Sequence, residues 1–327
     1  MILLAFLAST IMSSLTSASP PNIVFIVADD LGWADVQWRD PDMYTPNLNR
    51  LREEGVEMTN AYAGPSCTPS RSAFMTGIYP YKMGIQDDGF EGLMNVSVPL
   101  DKKMLPQTLK EYNYSTHMVG KWHLGFCRRE MTPFGRGFDT FYGMYNGASD
   151  HYTHTTDSWN GYDLTLNESP VWTANGTHSV YLHTRRAINI LKSHDQSKPL
   201  FIYLAYQAIH YPLQVPEYYI NTFCANVNIS EERKIRCGMA AALDEGIGNV
   251  TRNLEKLGYM NNTLIIFSSD NGGPINEGAS NWPLRGSKKT IWEGGTKVTS
   301  FLYSKTLLKG NRVYNGIAHA TDWYPTL

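Results

Sequence analysis

Apolar positions fall into two rhythms along the chain. Unbroken apolar runs, short enough to be strands buried on both faces, occur at 22–28 (Asn22-Ile23-Val24-Phe25-Ile26-Val27-Ala28), 199–206 and 263–269. Between them the period lengthens to that of a helix. Over 230–258, Leu243, Ile247, Val250, Leu254 and Leu257 recur at alternating steps of four and three, the stripe of a helix lying on a sheet. A shorter helix is predicted over 45–55, with Thr45 as N-cap, Pro46 in the first helical position, Leu48 and Leu51 on one face and Gly55 closing it. Strand and helix alternate, which predicts an α/β protein with a mostly parallel central sheet flanked by helices. There is no internal repeat and no low-complexity linker. The stretch 143–177, rich in Tyr, Asn, Asp, Gly and Thr, reads as an irregular surface excursion within one large domain.

Composition narrows the class further. With 42% hydrophobic and 18% charged residues in 327, the chain can bury a large core, and a formal net charge of −2 without a basic run excludes a protein that holds nucleic acid by phosphate neutralisation. The opening residues, apolar from Met1 to Met12 and small through Ala18, predict a signal peptide over 1–18, with Thr16 and Ala18 setting cleavage before Ser19. No other segment could cross a membrane, so no stable span is expected after cleavage. Seven Asn-x-Ser/Thr sequons, at Asn95, Asn113, Asn167, Asn175, Asn228, Asn249 and Asn261, fit a secretory route. In that compartment Cys224 and Cys237 are expected to form a local disulfide, two separate buried thiols being the alternative.

Candidate chemistry gathers where parallel strands end. The first predicted strand runs into Asp29-Asp30, and that at 263–269 into Asp270-Asn271. Three carboxylates and an amide oxygen suit a hard divalent cation such as calcium, although Asp and Asn before Gly are also ordinary turn residues. A second cluster is Ser66-Cys67-Thr68-Pro69-Ser70-Arg71. Pro69 is expected to open a helix that Gly77 ends, which leaves Cys67 beside a positive helix N-terminus with Arg71 one turn along. A cysteine there could be a thiolate nucleophile, a site of modification, or a half-cystine or buried thiol.

Cys67-Thr68-Pro69-Ser70-Arg71 resembles the C-x-P-S-R signature of sulfatases, whose cysteine is oxidised to formylglycine. Gly120-Lys121-Trp122-His123-Leu124-Gly125 is similar to the family's G-K-W-H-L-G, and His210-Tyr211-Pro212-Leu213-Gln214-Val215-Pro216 to the H-x-P-L-Q-V-P of its arylsulfatase B group. Ser269-Asp270-Asn271-Gly272-Gly273, the Trp282–Lys288 segment containing Arg285-Gly286-Ser287-Lys288, and Trp292-Glu293-Gly294-Gly295 follow in family order. The resemblance implies an alkaline-phosphatase-like sulfatase fold and a sulfuric ester hydrolase. It implies calcium held by Asp29, Asp30, Asp270, Asn271 and modified residue 67, with Arg71, Lys121 and His123 around the formylglycine hydrate. His210 and Lys288 would grip the sulfate, His210 also donating a proton to the leaving oxygen; Lys121 completes the substrate-binding set.

One hydroxyl of the hydrate would attack sulfur and the other eject sulfate, which serine or plain cysteine could not do. Implied partners are a sulfated glycan, such as N-acetylgalactosamine 4-sulfate of dermatan or chondroitin sulfate, and the formylglycine-generating enzyme; the implied location is lysosomal or extracellular. Ile78 stands where the family commonly has arginine, a departure bearing on that enzyme's recognition. Relative to the family pattern, 19–327 reads as a catalytic domain cut short at its C-terminus, lacking a smaller subdomain that could hold a partner for Cys127. A catalytically silent glycan-binding protein is the alternative of another class, while Cys67 argues against a phosphoesterase using Ser or Thr. His117, His151, His154 and His319 are expected to be structural or exposed.

Overall fold

The computed structural model describes residues 19–87, 90, 92–156, 160–227 and 230–327; the expected signal peptide and the Asn228 sequon lie outside the described residues. Ten strands form one sheet: β1 (Asn22–Ala28), β2 (Val56–Tyr62), β3 (Ser115–Lys121), β4 (Thr140–Met144), β5 (Thr165–Leu166), β6 (Ser169–Pro170), β7 (Leu200–Ala205), β8 (Thr263–Ser269), β9 (Ser300–Tyr303) and β10 (Arg312–His319). Their spatial order is β10-β2-β9-β8-β1-β7-β3-β4-β5-β6. The centre, β8-β1-β7-β3-β4, is wholly parallel, as the unbroken apolar runs predict. β9 runs antiparallel between β2 and β8, and β5 and β6 form an antiparallel margin on β4.

Side chains of β1 divide between two cores by the period of two. Val24, Ile26 and Ala28 face one layer with the Ser179–Ser193 and Glu231–Lys256 helices, while Ile23, Phe25 and Val27 face the other with the Cys67–Thr76 helix. Both layers are covered, which is why the central strands carry no polar face. Register then sets the site. Val27 pairs with Ala205 and Ala28 with Ser269, so β1, β7 and β8 end side by side, and their following residues emerge at one edge.

Local details both meet and correct the expectations. The long helix spans Glu231–Lys256, with the Ser230 side chain accepting from Arg233 N at 3.1 Å. Thr45 precedes the Pro46–Glu54 helix as expected but does not cap it: its hydroxyl accepts from Gln37 N at 2.9 Å. Asp244, from the long helix, takes the role instead, accepting from Asn47 N at 3.0 Å and Leu48 N at 2.7 Å. Cys224 and Cys237 are bonded, while Cys67 is buried and Cys127 exposed as thiols. The stretch 143–177 is not merely a surface excursion. It supplies β5 and β6 and buries Asn146, His151, His154 and Asp163 in hydrogen-bonded positions. Among the described residues no helix is long and apolar enough to cross a membrane.

Candidate active site

The helix carrying the cysteine cluster starts two residues earlier than Pro69 suggests. It spans Cys67–Thr76, and Pro69 sits in its first turn, where a missing N–H costs nothing because those amides have no partner within the helix. Gly77 ends it at φ 67°, the left-handed conformation glycine adopts most readily. Cys67 is therefore the first helical residue, at the end of the sheet where β1, β7 and β8 finish, and its Sγ donates to Asp29 Oδ1 at 3.4 Å.

Ion pairs surround it, among them Arg71 Nη2 with Asp29 Oδ1 at 3.4 Å. Lys121, the last residue of β3, reaches Asp29 Oδ2 at 2.6 Å. Arg71, one turn along from Cys67, donates to Asp270 Oδ2 through Nε at 3.0 Å and Nη2 at 2.8 Å, and to the Lys121 carbonyl at 3.0 Å. Lys288 Nζ meets the Asp30 carboxylate at 2.9 Å and His210 Nε2 at 3.2 Å. Asp30 N donates to Asp270 Oδ1 at 3.2 Å, and Asn271 Nδ2 to Asp30 Oδ1 at 2.7 Å. These contacts join Cys67, Arg71, Lys121, His210, Lys288, Asn271 and the three aspartates in one buried cluster, and His123 stands with Cys67, His210 and Lys288 around the adjoining cavity.

Burial and charge pull these groups in different directions. Burial pushes the Asp29 carboxyl up, but Lys121, His210, Arg71 and Lys288 outweigh it and hold Asp29 well below the usual range. Asp270 goes the other way, pushed up to about 7 by burial and by neighbouring Asp29 despite its bond to Arg71. The Cys67 thiol is driven well above its ordinary value by burial, against Lys121 and Lys288. Burial thus works against the thiolate form at this position.

Burial lowers the pKa of both site histidines. Burial, with Lys121 and Arg71 adding to it, holds His123 well below its usual value. His210 falls to about 4, again through burial first. His210 Nδ1 donates to the Tyr211 carbonyl at 2.7 Å, so Nε2 carries the lone pair and accepts from Lys288. The Nε2 edge of His210 and the Lys288 ammonium therefore share one proton-exchanging contact at the cavity. His123 lies at φ 54°, and Gly147 presses on its ring: a Cβ at Gly147 would be 2.7 Å from His123 Cε1 and Nε2.

Ligating atoms of Asp29, Asp30, Cys67 and His210 lie within 4.8 Å of one another. Asp270 falls outside this tight group, its oxygens engaged by Arg71 and Asp30 N. The donor set nonetheless fits a hard cation. Asn271 Oδ1 is buried without a hydrogen-bond partner beside buried carboxylates, an acceptor that suits an oxygen-seeking ion. Above the cluster opens a cavity of about 430 Å³, with Cys67, His123, His210 and Lys288 in its lining and Tyr211 and Glu277 on its wall.

Sequence reasoning missed the supports beneath this cavity. Arg233 bonds Asp35 and reaches Asp40 at 2.6 Å, while Arg236 bonds the Glu277 carbonyl at 2.7 Å and the Asp30 carbonyl at 3.3 Å. A signal was available: Arg233 and Arg236 extend the apolar stripe of the long helix backward at the same spacing, so two charges stand where the pattern demands burial.

Fold and site together define an α/β protein with a buried cluster of paired basic and acidic side chains under a cavity at the carboxyl edge of a parallel sheet. Residues 21–327 match the family described as Sulfatase, and the chain belongs to the sulfatase family, with the alkaline-phosphatase-like fold that the family shares. Mouse Arylsulfatase J is 48% identical over 313 residues, covering 94% of this chain and 52% of that protein. Human N-acetylgalactosamine-6-sulfatase is 28% identical over 337 residues, covering 96% of this chain and 63% of that one. The crystal structure of Ps i-CgsB in complex with k-i-k-neocarrahexaose is 35% identical and superposes with a TM-score of 0.88 over 94% of this chain and 71% of that chain. The chain thus spans between 52% and 63% of the length of these two curated relatives. Neither relative is named for the arylsulfatase B group.

Proposed function

We propose that the protein hydrolyses sulfate esters of sulfated sugars, using formylglycine made from Cys67 and a calcium ion bound at the carboxylate cluster. The observation that carries this reading is the place of Cys67: the first residue of its helix, in the lining of the cavity, with Lys121, Arg71 and Lys288 clustered about it. Formylglycine hydrate supplies a hydroxyl nucleophile and a second hydroxyl through which sulfate can leave, and calcium supplies positive charge against the sulfate oxygens. Asp29, Asp30, Asp270 and the unpartnered Asn271 Oδ1 would hold that cation with an oxygen of the modified residue.

The chain's own side chains do the remaining work. Lys288, held up by Asp30 and Asp29 against its burial, binds a sulfate oxygen at the cavity floor. Lys121, held up by Asp29 against burial, keeps positive charge beside residue 67. Arg71 fixes the Asp270 carboxylate from below. His123, wedged by Gly147, offers a ring nitrogen at a set position. His210 Nε2, in contact with the Lys288 ammonium, is where a proton can be passed to the leaving oxygen.

Sulfated sugars are the proposed substrate class, supported by the names of N-acetylgalactosamine-6-sulfatase and the carrageenan-bound neighbour. N-acetylgalactosamine 4-sulfate of dermatan or chondroitin sulfate is the substrate proposed from the likeness to the arylsulfatase B group. We also propose maturation by the formylglycine-generating enzyme along the secretory route, to lysosome or cell exterior; the exposed sequons Asn95, Asn113, Asn175 and Asn261 favour that route. Sulfate release from N-acetylgalactosamine 4-sulfate, the 6-sulfate and a sulfated sterol tests the reading. Release from a sugar sulfate is expected, and release from none of the three by protein made in a competent secretory host contradicts it.

A further inference from the structure

We infer that Arg236, which belongs to none of the sulfatase motifs, is a positioning residue for the cation site, acting through the backbone of Asp30. Asp30 is buried and lies at φ 60°, a left-handed conformation that is uncommon outside glycine. Such a conformation persists where its surroundings hold it. Here the peptide on each side of Asp30 is tied. Its N–H donates to Asp270 Oδ1 at 3.2 Å, and its carbonyl accepts from Arg236 Nη1 at 3.3 Å. In that pose the Asp30 carboxylate meets Lys288 at 2.9 Å and Asn271 Nδ2 at 2.7 Å, in the centre of the cluster.

Arg236 is itself fixed from several sides. Its side chain is fully buried, Nε donates to the Glu277 carbonyl at 2.7 Å, and Nη2 reaches the Glu277 carboxylate at 3.2 Å. Glu277 stands on the cavity wall, so one guanidinium joins the wall to the Asp30 turn. The helix that carries Arg236 is anchored at the same point by the Ser230 cap and by the Cys224–Cys237 disulfide next door. One turn earlier, Arg233 bonds the Ala34 carbonyl at 3.0 Å, tying down the same loop. Arg236 does not line the cavity, so its influence on a bound cation passes through Asp30.

The inference rests on the calcium reading proposed above, and its test separates the two. Thermal unfolding of the full chain is followed against calcium concentration for the native protein, Arg236→Met and Arg236→Lys. Calcium should raise the melting temperature of the native protein, and Arg236→Met should raise the half-saturating concentration about tenfold or more, the effect of removing a group that orients a ligand. Arg236→Lys should also bind calcium more weakly, because one ammonium cannot reach Glu277 and the Asp30 carbonyl together. Lower melting in both variants with an unchanged half-saturating concentration would show a purely structural role and overturn the inference while leaving the calcium reading intact. No response in the native protein would overturn both. Should Arg236→Met fail to fold, hydrogen exchange in the native protein decides: calcium must slow exchange over 231–237, which holds no proposed ligand, and no change there refutes the coupling.

Discussion

Arg71 places both Nε and Nη2 on one oxygen of Asp270, at 3.0 and 2.8 Å, with neither side chain exposed. The pair joins the helix that begins with Cys67 to the turn that follows β8, across 199 positions of sequence. A buried charge whose partner is removed has no water to turn to. Arg71→Met should therefore lower the free energy of unfolding by about 3–5 kcal/mol. Chemical denaturation of the two proteins measures this, and a loss below about 1 kcal/mol, the range of exposed pairs, would mean the pair is not buried as described.

Asp244 gives a prediction that depends on pH. Burial raises its carboxyl to about 6, although three donors at the start of the Pro46–Glu54 helix bind it. A raised folded-state value means that the stabilising contribution from protonation is complete below the unfolded value of about 4 and is lost as pH rises through about 6. Relative to Asp244→Asn, the native protein should lose on the order of 2–3 kcal/mol of stability between pH 4 and pH 7. Urea titrations of both proteins across that range check the sign; a native protein that gains on the variant as pH rises contradicts it.

Gly147 is constrained by the His123 ring, not by its backbone angles. A methyl group there would lie 2.7 Å from two ring atoms, and the ring lines the cavity. Gly147→Ala should fold with nearly native stability yet reduce kcat/KM on a sugar sulfate about tenfold or more, since displacement of a reacting group by an ångström is costly. Steady-state kinetics beside a melting curve separates that outcome from unfolding.

What could be read from the chain beforehand follows a physical division. The central strands were legible because a sheet covered on both faces needs unbroken apolar runs, and Asn22–Ala28 and Thr263–Ser269 have them. Cys67, Arg71, Lys121, His123, His210 and Lys288 were legible because their local motifs resemble a family's, and the fold brings all of them to one edge. Thr45 was misread because the hydroxyl that could cap its helix bonds Gln37 instead, while the true acceptor, Asp244, comes from 196 positions away from Leu48. The roles of Arg233 and Arg236 were hidden for the same reason: an apolar stripe predicts burial of a position but not the carbonyl it will meet. The 143–177 stretch escaped because polar side chains such as Asn146 and Asp163 satisfy one another inside the fold, and composition alone cannot distinguish that from a wet loop.

Removal of the thiol tests the use of residue 67 without touching the ion pairs. Cys67→Ala deletes one weak hydrogen bond to Asp29 and should change stability by no more than about 1–2 kcal/mol while abolishing sulfate release. A variant that keeps full turnover would show that residue 67 is not where the chemistry occurs.

The most direct measurement takes preparations whose residue 67 is modified to different degrees, made by varying formylglycine-generating enzyme in the host. Mass spectrometry of the peptide containing residue 67 gives the formylglycine fraction, and sulfate released from a sugar sulfate gives the rate. The account predicts a rate proportional to that fraction, passing through zero for protein that is wholly unmodified. A rate independent of the fraction, or turnover by protein carrying only cysteine, would contradict it.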